Sequence, residues 1–151
     1  MARNLATKLA TKLATPPLAN NKPGIAAGEE LVRQYREWRQ SFQPPAQRMA
    51  FIRNLCDRIA EEFEPEQIIL FGSHAYGTPS VDSDLDLLVV MPFAGSPLAQ
   101  AVSISRQLKL MIPLDLIVRT REQVNERLAM DDFFMREIIE RGKVMYEANH
   151  R

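Results

Sequence analysis

Two aspartates alternate with apolar residues in Asp84-Leu85-Asp86-Leu87-Leu88-Val89-Val90, and no other feature constrains the fold of this chain so strongly. Successive side chains of a strand point to opposite faces, so Asp84 and Asp86 share one face while Leu85, Leu87 and Val89 share the other. A third acid repeats the arrangement in Leu114-Asp115-Leu116-Ile117-Val118. Carboxylates set into apolar strands are expensive to desolvate unless something neutralises them. Three oxygen-donor side chains suit a divalent cation, and Mg²⁺ in particular.

Upstream, Ile68-Ile69-Leu70-Phe71 reads as an apolar strand that breaks at Gly72-Ser73, and a ten-residue loop, His74 to Ser83, leads to the acid pair. Gly72 lets the backbone approach a ligand without a Cβ in the way. Ser73 offers a hydroxyl and a start for a short helix over Ser73 to Tyr76, with Gly77 ending it. N–H groups at a helix start form an anion site, most naturally for phosphate. Phosphate donors beside metal-binding carboxylates describe a nucleoside triphosphate with its Mg²⁺.

Gly72-Ser73, the ten-residue gap, Asp84-Leu85-Asp86-Leu87 and Leu114-Asp115-Leu116, in that order, resemble the nucleotidyltransferase (DNA polymerase β-like) superfamily. The short chain resembles its minimal nucleotidyltransferases, the MNT family, over roughly residues 65–147. The resemblance implies Asp84, Asp86 and Asp115 as catalytic and metal-binding residues, two Mg²⁺ ions, and Gly72 and Ser73 as nucleotide-binding residues with ATP as substrate. It also implies a frequent partner, a HEPN-domain toxin, for which the MNT protein is the antitoxin, in some pairs by adenylylating a tyrosine. The chain departs from the pattern at Tyr76, where many minimal nucleotidyltransferases read Gly-Ser-x-Ala-Arg-Gly; the departure removes a phosphate contact and bears on turnover. Arg119, just beyond the third acid's strand, is a candidate replacement, although an arginine at a strand end is more often simply exposed.

Charge argues against a template. Nineteen basic residues balance nineteen acidic ones, but residues 1–28 hold four of the basic residues and no acid. The remainder therefore carries fifteen against nineteen, a net of −4. A bulk grip on nucleic acid needs a basic face, so nucleic acid is not the expected partner. The lone Cys56 rules out an internal disulfide and reads as a small buried hydrophobe. No run of eighteen apolar residues exists to span a membrane, so the expected compartment is the cytoplasm. The oligomeric state, homo- or hetero-, stays open.

Residues 1–28, with their LATKLATKLAT repeat and then the helix-breaking Pro16-Pro17 and Asn20-Asn21-Lys22-Pro23-Gly24, are expected to form a disordered tail. Their acid-free, amphipathic character is shared by transit peptides, but they are poor in Ser and Arg. Residues 29–147 are expected to form one α/β nucleotidyltransferase domain, a small mixed sheet flanked by helices, with an added N-terminal helix over Glu29 to Phe42. A second helix to Phe63 has the stripe Met49, Ile52, Cys56, Ile59 and Phe63, with Arg48, Arg53 and Arg58 on a solvated face. A helix runs from Leu98 to about Met111. Thr120 caps Arg121 to Met130, Asp131 caps a final helix stopped by Gly142, and Lys143 to Glu147 is an edge strand.

Trp38, at helical spacing, reads as packing rather than a base-stacking platform. His74 could touch a phosphate or act as a base, but a loop histidine is more often a local hydrogen-bonder. Asp82 belongs to the turn before the strand and not to the metal set. Two rival functions remain beside protein modification: an antibiotic-type nucleotidyltransferase acting on a small hydroxyl compound, and a non-catalytic module that masks its partner. The expected size leaves little to enclose a small molecule, so the acceptor would be presented by another chain, with Tyr76, Phe93 and Phe133-Phe134 as candidate docking aromatics.

Overall fold

The computed structural model describes residues 23–40, 45–80 and 82–149. The expected sheet is there. Helices α1 (Pro23–Gln40) and α2 (Pro45–Phe63) precede β1 (Gln67–Phe71), the single turn α3 (Ser73–Tyr76) and β2 (Leu85–Val90). Then come α4 (Pro97–Gln107), β3 (Leu114–Arg119), α5 (Arg121–Ala129), α6 (Phe133–Arg141) and β4 (Lys143–Glu147). The sheet has four strands in the order β3-β2-β1-β4. β1 is antiparallel to both β2 and β4, and β2 is parallel to β3, which the α4 crossover makes possible.

Alternation along the strands gives the sheet two apolar faces. Ile68, Leu70, Leu85, Leu87, Val89 and Val118 meet α1, α2 and α4 in the larger core, together with Trp38, Ile52, Cys56, Ile59 and Ile104. Ile69, Phe71, Leu88 and Val90 meet Val124 of α5 and Met135 and Ile138 of α6 in the smaller one. Cys56 is buried as expected, and burial, helped by the Asp57 charge, pushes its thiol up to about 12. It is no nucleophile. Trp38 is fully buried, its ring 5.4 Å from Phe51 and 5.2 Å from His74, so it is packing. Among the described residues no helix is long and apolar enough to cross a membrane.

Several local readings need correction. Helix α1 begins at Pro23, inside the stretch read as helix-breaking; proline fits a first turn because its missing N–H has no partner to lose there. The remainder of the expected tail, residues 1–22, and Phe42 lie outside the described residues. The three- and four-residue spacing of Leu31, Tyr35, Trp38 and Phe42 suggests one apolar stripe, but Tyr35 is exposed, and among the described side chains of α1 the buried ones are Gln34 and Trp38. Arg58 is half-buried rather than on a solvated face: its guanidinium donates to the Leu108 carbonyl at 3.0 Å and ties α2 to the end of α4. The cap of α6 is Asp132, which accepts from the Met135 N–H at 3.0 Å; Asp131 takes a left-handed conformation (φ 63°) that closes α5 and pairs with Arg136. Thr120 does cap α5, in a reciprocal capping box with Gln123.

Candidate active site

The strand register gathers the acids. In the parallel pair, Asp86 stands opposite Asp115, and in the antiparallel pair it stands opposite Phe71. Neighbouring strands lie about 4.8 Å apart, so the two carboxylates are side by side on the face that carries Leu88, Val90 and Ile117. That face is covered by α5 and α6 further along, and the acids occupy its open end. Asp84 precedes the first residue of β2 and is exposed, as is Asp115, while Asp86 is half-buried.

Electrostatics set Asp86 apart. Desolvation, then the Asp115 charge, then the Asp84 charge raise its pKa to about 6. The same observation tests whether a cation fits: three carboxylates meet at one sheet end, and Asp86 bears the repulsion of the other two. Among the described residues no three metal-ligating side chains converge into a ready-made cage. Mg²⁺ does not require one, since it is commonly held by one or two carboxylates, substrate phosphates and water. The donor set fits the ion.

A pH dependence follows. Between the ordinary carboxylate range near 4 and about 6, folded Asp86 keeps a proton that the unfolded chain has released. The folded state then binds more protons, so this residue makes the metal-free protein less stable as pH rises through that window. Thermal melts of wild type and Asp86→Asn should diverge between pH 4.5 and 7, the wild type falling behind. A difference that stays flat with pH would contradict the shift.

Gly72 does more than the sequence suggests. It takes φ +69°, and a Cβ placed on it would collide with the Asp86 Oδ2 and lie 3.0 Å from its Cγ. The absent side chain is thus the space in which the Asp86 carboxylate sits. The turn α3 follows directly, ended by Gly77 in the left-handed region as read from the sequence. It offers less to an anion than a full helix would. The amides of Ala75 and Tyr76 both donate to the Gly72 carbonyl, at 3.0 and 3.2 Å, and are therefore not open to an anion.

The remaining candidates divide. His74 is buried, and its Nε2–H donates to the Ser83 carbonyl at 3.2 Å. Burial lowers its pKa, so it closes the loop as a neutral, structural residue. Asp82 lies exposed in the turn before β2, whose pinning comes from serines: the Ser80 N–H donates to the Ser83 hydroxyl at 2.9 Å. Arg119 sits at the far end of β3, four residues or about 13 Å from Asp115, and donates to its neighbour's carbonyl at 2.7 Å. It cannot stand in for a basic residue at position 76. The sequence reading missed Arg141, whose guanidinium carbon lies 4.3 Å from the centre of the Tyr76 ring. Phe134 and Arg141 are seven residues apart and so share one side of α6, but which loop that side meets is set only by the folded sheet.

No curated protein matches the chain. Among solved structures, a Sulfolobus solfataricus protein described as a candidate nucleotidyltransferase is similar at 15% identity, over 87% of this chain and 93% of that one, with a TM-score of 0.46. The model of the family described as polymerase beta, nucleotidyltransferase, matches residues 54–151, which include the whole sheet, the Gly72-Ser73 loop and all three acids. The chain belongs to the polymerase beta nucleotidyltransferase family.

Proposed function

We propose that this chain transfers AMP from ATP, with Mg²⁺, to a hydroxyl of a partner protein. The observation that carries the reading is Asp86, held between Gly72 and Asp115 on an open sheet end and raised in pKa by burial and then by the Asp115 and Asp84 charges. Asp84 and Asp86 would hold the Mg²⁺ that accompanies the triphosphate, and Asp115 would join them for a second ion. When bound, Mg²⁺ supplies charge neutralisation at the phosphates and a lower pKa for an attacking hydroxyl. Ser73 binds and orients the β- and γ-phosphates, with Gly72 letting them approach. Asp115, exposed at the edge strand, takes the acceptor's proton. The acceptor oxygen forms a bond to the α-phosphorus as the bond to the β-phosphate oxygen breaks, and pyrophosphate leaves.

An open groove supports a protein acceptor. About 640 Å³ in size, it runs from Asp115 past Leu114 to Val102, Leu98, Met111 and Lys109. Leu98, Val102 and Met111 are exposed in it, which suits apolar side chains brought by another chain. Of the aromatics considered for docking, Phe133 and Phe134 are exposed, whereas Phe93 packs against the larger core. In this reading the partner is a HEPN-domain toxin, and the chain is its antitoxin.

The test mixes the protein with ATP labelled at the α-phosphate, Mg²⁺ and the protein encoded alongside it. Label is expected on a partner hydroxyl, and Asp115→Asn is expected to lower transfer by about 10²-fold or more. Inhibition of the partner without label transfer would make the chain a masking module. The groove beside Asp115 also leaves room for the small-molecule reading, which labelling of a free hydroxyl compound without any partner would establish.

A further inference from the structure

The proposed site holds three carboxylates, and a nucleoside triphosphate brings about four more negative charges. Divalent ions offset part of this repulsion where carboxylates and phosphates share them. The β- and γ-phosphates, reaching toward Ser73, need a cation from elsewhere in the fold.

Helix α6 supplies one. Its position over the loop is fixed at three points. Phe134 packs edge-on against Phe71, the residue before Gly72, with ring centres 5.7 Å apart. Ile138 is buried in the smaller core against Ile69 and Phe71. Gly142 lies so close to the sheet that a Cβ there would collide with Ile69 and sit 3.1 Å from the Leu70 carbonyl. With the helix held at both ends, Arg141 comes to rest over the Tyr76 ring, on the turn that Ser73 begins. The stack positions the guanidinium and leaves its N–H edges available, since a cation over a ring face is held through its plane. One edge bonds Glu137 at 3.1 Å, and the side chain remains 61% exposed.

Other arginines near the smaller core are engaged elsewhere: Arg121 with Glu66, Arg127 with Asp132 and Arg136 with Asp131. Arg48, on α2, is the alternative cation, close enough to act on His74 electrostatically, but half-buried.

We propose that Arg141, seated on Tyr76, is a phosphate-binding residue that recognises the β- and γ-phosphates of the nucleotide. The inference rests on the nucleotide site proposed above and adds a preference for triphosphate over monophosphate that the carboxylates alone do not provide. On binding, Arg141 exchanges part of its contact with Glu137 for the stronger, charge-assisted bonds to phosphate.

Calorimetry with Mg²⁺ and α,β-methylene ATP, and separately with Mg²⁺ and AMP, tests it. Arg141→Ala is expected to weaken the triphosphate analogue about tenfold or more while changing AMP by less than about twofold. Arg141→Lys should recover part of the loss, because the charge returns without the planar stack. Arg48→Ala should leave the ratio of the two affinities unchanged. If Arg141→Ala binds the analogue like wild type while Asp84→Asn with Asp86→Asn abolishes binding, the inference fails and the site stands. A loss for Arg48→Ala alone, or an equal loss of analogue and AMP in Arg141→Ala, would also overturn it. Binding that survives the double aspartate change would overturn the site itself. A thermal melt of Arg141→Ala close to wild type is expected, given how exposed the side chain is.

Discussion

Replacing both Asp84 and Asp86 by asparagine is expected to abolish binding of Mg²⁺ with ATP and to leave the metal-free fold at least as stable as before. The stability half of this expectation comes from the raised pKa of Asp86. At neutral pH its charge is forced into a half-buried place beside Asp115 and Asp84, and the folded state bears that repulsion. Asparagine keeps the size and removes the charge, so the apo mutant should melt no lower than wild type, and higher above pH 6. The binding half reads in the same experiment. At ligand about 100 times its Kd, Mg²⁺ and ATP should add about 2.7 kcal/mol to the wild type, a shift of several degrees in Tm, and nothing measurable to the mutant. A double mutant that failed to fold would show that the acids are structural, and one that kept its ligand-induced shift would place the nucleotide elsewhere.

Gly72→Val is expected to be nearly as damaging, by a different route. A substitution there meets two penalties at once: the left-handed backbone at φ +69°, which a β-branched residue adopts only under strain, and overlap with the Asp86 carboxylate. Something must give, and the Asp86 side chain is the first atom group in the way. We expect a loss of about 1–3 kcal/mol in denaturant titrations, together with loss of nucleotide binding. Gly72→Ala should share the effect in milder form, because the first carbon already collides. Intact nucleotide affinity in the alanine variant would mean that Asp86 is not where the ligand is held.

How much of this was legible in the sequence differs from one physical effect to the next. A continuous apolar run placed β1, and alternation with acids placed β2 and β3, each within a residue or so at each end, with Asp84, Asp86 and Asp115 at the strand starts. Capping chemistry found Thr120 and the turn from Ser73 to Gly77. It chose Asp131 over Asp132 for α6, because two adjacent aspartates offer the same side chain and only the backbone distinguishes the residue that closes one helix from the one that opens the next. Long-range contacts were beyond it. The use of Gly72 as space for Asp86 joins residues fourteen apart, and the Arg141 stack on Tyr76 joins the last turn of α6 to the first loop of the sheet. Strand register creates the first and the packing of α6 on the sheet the second, and both are properties of the folded chain.

The central claim, that the three acids and the Gly72-Ser73 loop form one metal–nucleotide site, is tested most directly by placing a visible metal in it. Crystals soaked with Mn²⁺ and α,β-methylene ATP, with diffraction recorded for the anomalous signal of manganese, should show metal between Asp84, Asp86 and Asp115, with the triphosphate running toward Ser73. Manganese and nucleotide bound together at any other surface, with the three carboxylates empty, would contradict it.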